Sequence, residues 1–270
     1  MKDEHLSNVT ERALLVRADN PSVMTLDGTN TWLLREPGSS SVVVLDPGPL
    51  DEDHLARLIE VAGRDGGHID LVLYSHWHPD HTDSIDRFFE LTGAPARALD
   101  STWCRNAEPL TAGEVLSVGG LEIEVMATPG HTMDSICLVL TAEQSLLSAD
   151  TILGTGTTVV AHPDGALGPY LDSLAAIRQR IVAGDVRHIL PGHGPSISDP
   201  LTVVDGYLAH RASRLEQVRA ALEAGDTTAM QVVERVYAEV DRSVWFAAEM
   251  SVRAQMDYLA GRSDAASMEV

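Results

Sequence analysis

The chain holds 270 residues, 44% of them hydrophobic and 22% charged, a globular balance that excludes collagen-like, disordered and disulfide-scaffold classes. Nineteen basic residues against forty acidic ones leave a net charge of −21, which repels polyanions and disfavours general nucleic-acid and membrane-surface binding. Only Cys104 and Cys137 are present, with no C-x-x-C, so neither a disulfide framework nor a thiolate zinc site can be built, and both cysteines are expected to be buried and reduced.

The opening MKDEHLSNVTER carries charges where a secretory segment needs an apolar run, and the apolar stretches elsewhere are short. A cytoplasmic protein without membrane contact is the expectation. Residues 13–16, 31–34 and 42–45 are apolar runs of strand length. Residues 51–62 show helical spacing, with Asp51 available as a cap. A further strand is predicted over 69–74 and a helix over 82–91. Leu121-Glu-Ile-Glu-Val125 alternates apolar and acidic after Gly119-Gly120, which reads as a hairpin arm with one wet face. A helix over 170–182 and a short strand at 189–190 complete an α/β pattern. From Asp199 onward the strand signals fade, and helices are predicted over 201–222, 230–240 and 246–259. The boundary is placed near 198, giving an α/β domain over 1–198 and a helical C-terminal subdomain over 199–270. The apolar 246–259 helix offers either packing within the monomer or a contact in a homodimer.

The strongest chemical signal is His76-Trp-His78-Pro-Asp80-His81, directly after the 69–74 strand. His76 and His78 are two apart, so on an extended backbone their imidazoles project to one side and can share a metal ion. Pro79 then breaks the strand, and Asp80 and His81 fall in the turn into the next helix, where they can face a second ion. Two coordination shells need more ligands, and the chain supplies His131, Asp150 and His193, each shortly after an apolar run. Imidazole and carboxylate donors without thiolate suit zinc, with manganese or iron as alternatives.

These residues resemble the metallo-β-lactamase superfamily, whose signature is HxHxDH followed by isolated His, Asp and His; the resemblance covers residues of about 10 to 198. It implies a four-layer αββα sandwich. It further implies that His76, His78 and His131 hold one ion, that Asp80, His81 and His193 hold the other, and that Asp150 bridges them. Asp46, in Val42-Val-Val-Leu-Asp-Pro-Gly48, matches the family's first motif and would orient the ligand loop. Gly28-Thr-Asn-Thr-Trp32, Ser75-His-Trp-His78, Pro191-Gly-His-Gly-Pro195 and Tyr207-Leu-Ala-His-Arg211 resemble the subgroup that contains a mitochondrial single-strand endoribonuclease and polyketide thioesterases. Two departures stand out: Asp83-Ser84 where members commonly have Gly-Gly, and Ala149 where they commonly have Gly before the bridging Asp.

A hydroxide held between two metals is available near neutral pH, and the same ions polarise a carbonyl or phosphoryl oxygen, so hydrolysis is the reaction class implied. Asp80 and Asp150 are the carboxylates placed to handle a proton there. The leading expectation is a dinuclear zinc hydrolase of a small ester or thioester, acting on a small-molecule substrate. A single-strand endoribonuclease is the alternative, weakened by the charge of −21, and a non-catalytic metal-binding module is the third reading. Trp77 is expected to pack; residues 155–157 either line a pocket or connect; His210 and Arg211 lie by spacing on a solvated helix face, while the subgroup resemblance implies a substrate-side role as the alternative; and His5, His54, His68, His162 and His188 are read as surface or loop histidines.

Overall fold

The computed structural model describes residues 5–239 and 241–268; the predicted helix end at Val240 lies outside them. Strands β1 (Leu6–Asn8), β2 (Ala13–Arg17), β3 (Asn30–Leu34), β4 (Ser41–Leu45), β5 (His68–Leu73) and β6 (Ala96–Arg97) form one sheet in chain order. The first four pair antiparallel, and β4, β5 and β6 pair parallel. Parallel neighbours need a crossover. Helix α1 (Glu52–Ala62) supplies the first, capped by the Asp51 side chain, and α2 (Pro79–Thr82) with α3 (Ile85–Thr92) supplies the second.

The second sheet runs β11 (His188–Pro191), β10 (Ser145–Ala149), β9 (Ile136–Leu140), β8 (Leu121–Ala127), β7 (Val115–Val118). The predicted hairpin is β7–β8, with Glu122 and Glu124 on its wetter face. Helix α4 (Leu167–Ala183) is the crossover between the parallel β10 and β11. Helices α5 (Pro200–Glu223), α6 (Ala229–Val236) and α7 (Trp245–Met268) follow.

Four apolar clusters account for the layering. Trp32, Leu45, Leu73, Ile123, Leu138 and Leu147 fill the space between the two sheets. Leu55, Leu58 and Phe88 seat α1 and α3 on the outer face of the first sheet. Tyr170, Leu174, Ile177, Val204 and Tyr207 seat α4 and the start of α5 on the outer face of the second. Val218, Val232, Val233 and Val252 join the end of α5 to α6 and α7. The result is the expected four-layer αββα sandwich with helices appended. Strands such as β9 and β10 are buried at every position because both faces are covered, which is why their sequences lack alternation.

Two expectations are corrected. The helix expected over 82–91 is two helices, broken at Asp83-Ser84, where the Ser84 hydroxyl donates to the Gly48 carbonyl (2.8 Å) and ties the break to the loop after β4. Cys137 is fully buried, but Cys104 is only half-buried, on the loop after a single tight turn (Ser101–Trp103) beyond the edge strand β6. Among the described residues, no helix is long and apolar enough to cross a membrane. Replacing Leu138, 1% exposed between the sheets, with Ala is expected to destabilise the fold by about 2–5 kcal/mol, seen as a lower denaturant midpoint with an unchanged m-value.

Candidate metal centre

Strand ends converge on one edge of the sandwich and carry the seven expected ligands there. The 76–81 segment follows β5, His131 follows β8, Asp150 follows β10 and His193 follows β11. They form two adjoining groups, His76, His78, His131 and Asp150, and Asp80, His81 and His193, with one donor atom per residue lying within 4.8 Å of the others in its group. Asp150 stands between the groups: Oδ2 is 3.7 Å from His131 Nε2, and Oδ1 is 3.3 Å from His193 Nε2 and 3.5 Å from His81 Nε2. Asp80 Oδ2 lies 3.1 Å from His193 Nε2.

The imidazoles are held by their other nitrogens. Asp46 accepts from the Ser75 backbone N–H (2.8 Å) and hydroxyl (2.6 Å), and its Oδ2 faces His81 Nδ1 at 2.9 Å. A carboxylate only accepts, so His81 carries its proton on Nδ1. The Ser75 hydroxyl uses its one O–H in donating to Asp46, so it accepts from His76 Nδ1–H at 2.9 Å. His131 Nδ1 donates to the Val159 carbonyl (2.8 Å) and His193 Nδ1 to the Gly28 carbonyl (3.2 Å). In each neutral ring the bare Nε2 therefore points into the cluster. His76 Nε2 and His131 Nε2 each lie 3.0 Å from His78 Nδ1, and His81 Nε2 lies 3.3 Å from His193 Nε2.

This crowd of electron pairs fits a divalent cation. Asp150 Oδ1 is buried with no hydrogen-bond partner among the described residues. Burial pushes His76 well below the ordinary histidine range, His78 down to about 4, and His131 down as well. All three are neutral imidazoles, the form that can ligate a cation. Burial also opposes charge on His81 and His193, but the surrounding carboxylates outweigh it, raising His81 well above its ordinary value and His193 to about 9. Burial works against Asp80 and Asp150 too, yet His81 and His193 hold both well below the usual carboxylate range. The two carboxylates are anionic and need positive charge between them, which a divalent cation supplies in place of protons.

Backbone geometry brings the ligands close. Ala149 has φ +43°, just past a register shift between β10 and β11, and this turns Asp150 toward the cluster. A left-handed conformation at a residue with a Cβ is strained, which explains why glycine is the common residue before this Asp in the resembling family. At Gly192 a Cβ would lie 2.6 Å from Asp150 Oδ1 and 3.1 Å from His81 Cε1, so only glycine lets β11 pass behind the ligands.

The structure corrects three readings of neighbouring residues. His54 is not a surface histidine: it is 1% exposed, and its Nε2 lies 3.0 Å from the Thr31 hydroxyl, which donates to the Asp46 carbonyl (2.7 Å). Its spacing with Leu58 and Val61 on the core face of α1 was the signal for burial. Arg211 is not on a solvated face but 4% exposed, with its guanidinium over the Tyr170 ring and NH2 donating to the Thr158 carbonyl. Trp77 does not pack inside; it is 36% exposed, and its indole N–H donates to Asp164 Oδ2 (2.8 Å). His68 and His188 are exposed, and His5 and His162 are half-buried.

Comparison with known proteins agrees with the geometry. Residues 24–193 match the metallo-beta-lactamase superfamily model, and residues 228–262 match the beta-lactamase associated winged helix domain. The chain is 33% identical over 258 residues to the beta-lactamase-like protein 2 homolog of Caenorhabditis elegans, covering 93% of this chain and 83% of that one. It is 31% identical over 252 residues to an atrochrysone carboxyl ACP thioesterase of Aspergillus chevalieri, covering 88% and 77%. A beta-lactamase domain protein from Burkholderia ambifaria superimposes with a TM-score of 0.78 at 22% identity, over 95% and 88% of the two chains, a likeness of fold. A His/Asp cluster on the edge of such a sandwich defines a metallo-hydrolase. The chain belongs to the metallo-β-lactamase superfamily.

Two outcomes follow. Asp46→Asn removes the acceptor that fixes His81 and, through Ser75, His76; affinity for divalent metal is expected to fall about 10–100-fold in competition with a chromogenic chelator. Burial first, then Arg57, holds His54 down to about 4, so the folded state refuses a proton that the unfolded chain takes up near 6.5. Its contribution to stability is complete above about pH 6.5 and is lost as pH falls toward 4, at about 1.4 kcal/mol per unit. Denaturant curves of His54→Gln are expected to depend less steeply on pH than wild type across that window.

Proposed function

We propose that the protein hydrolyses a thioester or small ester at two divalent cations, zinc being the ion that the donor set suits best. His76, His78 and His131 would hold one ion, Asp80, His81 and His193 the other, with Asp150 between them. Ions bound there would lower the pKa of a coordinated water toward about 7 and polarise the scissile carbonyl. The side chains do the rest. Asp150, with both oxygens turned to histidines, is a positioning carboxylate. Asp80 is the more open of the two, its side chain 26% exposed against 12%, and is the group that takes a proton from the attacking water and delivers it toward the leaving group.

The observation that carries the substrate class is the apolar rim. Trp77, whose ring centroid is 4.5 Å from that of His78, is exposed, as is Met133, two residues past His131. Val23 and Met24 are exposed on the loop whose end, Gly28, holds His193. Exposed apolar side chains, Trp77 in contact with His78 and the others a few chain positions from residues of the centre, suit an acyl group better than a polyphosphate chain. The relative named as an acyl-carrier thioesterase, at 31% identity, supports the same reading.

The test is turnover of a panel of acyl thioesters, esters and single-stranded RNA by zinc-loaded protein beside His78→Ala. Thioester or ester hydrolysis is expected, falling at least about 1000-fold in the variant, as removal of a group that stabilises transition-state charge does. RNA cleavage alone, lost in His78→Ala, would replace this reading with a nuclease.

A further inference from the structure

A second cavity, of about 240 Å³, lies behind the metal centre, between the 157–159 segment, α5 and the start of α7. It shares a wall with that centre. Thr158 and Val159 line the cavity, while the Thr158 hydroxyl donates to the Asp150 carbonyl (2.7 Å) and the Val159 carbonyl accepts from His131.

In a chain of net charge −21, this cavity is lined by His210, Arg211 and Arg214 and by no Asp or Glu among the described residues. Arg211 is 4% exposed, its Nε–H is buried without an acceptor, and it makes no ion pair among the described residues. Among the described residues, the Thr158 carbonyl and the Tyr170 side chain meet its charge, and neither is an anion. His210 Nδ1 is likewise buried and unpartnered. Arg214 lies over the Tyr237 ring, 4.5 Å from its centroid, with its NH1 on Gln217. A buried guanidinium left without an anion is unfavourable, and two unmet polar groups in one wall call for an acceptor. Val159, Val244 and Ala248 make the remaining walls apolar.

From this we infer a binding site for a small organic anion, a carboxylate or phosphate carried on an apolar body, with the anionic group against Arg211, Arg214 and His210. Arg211 supplies the fixed charge and Arg214, half-buried, the adjustable one. The inference is independent of turnover, because it concerns occupancy of a cavity separate from the seven ligands.

Calorimetric titration of the intact protein tests it, with phenylacetate, its neutral counterpart phenylacetamide, and inorganic phosphate as probes. Phenylacetate is expected to bind saturably, at least tenfold tighter than the amide and tighter than phosphate, which leaves the apolar wall uncovered. Arg214→Gln and His210→Gln are expected to weaken binding at least tenfold with unchanged circular dichroism, while Arg214→Lys restores part of it and His78→Ala leaves it intact. Equal binding of acid and amide, phosphate binding as tightly as phenylacetate, or no saturable binding to wild type would overturn the inference. So would anion binding lost in His78→Ala but kept in Arg214→Gln, which would put the anion at the metal centre.

Discussion

One carboxylate sets the geometry on which the rest depends. Asp46 sits at the end of β4 with φ +53°, a conformation that its short polar side chain tolerates better than most. From there it grips the Ser75 backbone and hydroxyl and the His81 ring together. Two histidines from different parts of the ligand loop thereby receive their tautomers from one buried acceptor. Behind it, the Thr31 hydroxyl and His54 fix the Asp46 backbone, so the chain of contacts runs from the outer helix through the sheet to the ligands. Such an arrangement places lone pairs before any cation arrives, which is preorganisation in the literal sense.

The donors are an imbalance that the fold sustains. Anionic Asp80 and Asp150 are packed among histidines and shut off from most solvent, a grouping that would repel itself without positive charge between them. The strained Ala149 and the bare Gly192 are the backbone's share of that compression. Elsewhere α1, α5 and α6 carry side-chain N-caps, and the space between the sheets is filled mainly by aliphatic side chains. Part of the strain, at Asp46 and Ala149, and one buried oxygen without a partner among the described residues, on Asp150, sit at the candidate site.

Much of this was legible from the residues. Strand-length apolar runs marked β4, β5 and β11, and alternation marked β8. The close spacing of His76, His78, Asp80 and His81 marked them as one group, although β5 ends at Leu73 and the pair His76 and His78 sits in the loop beyond it and not on the extended strand that the spacing assumed. What spacing could not show was contact across the fold. His54 lies 23 residues from its partner Thr31, and Arg211 lies 53 from Thr158, so the helical spacing that marked His54 for the core face said nothing of the partner it meets there, and nothing local marked Arg211 as buried. A charged residue on a helix reads as solvated until the neighbouring segment that covers it is known. The break at Asp83-Ser84 was hidden for a related reason: it is held by a carbonyl from another loop and not by any helix-breaking residue.

Helix α5 serves two masters. Its first turns insert Val204 and Tyr207 into the outer layer of the sandwich, and the Tyr207 hydroxyl accepts from the Leu153 backbone three residues past Asp150; its last turns carry Val218 and Ala221 into the packing of α6 and α7. At 24 residues this helix is about 36 Å long. The appended helices and the segment that carries Asp150 therefore rest on one shared element, a common support for two packing units that are otherwise built from different clusters.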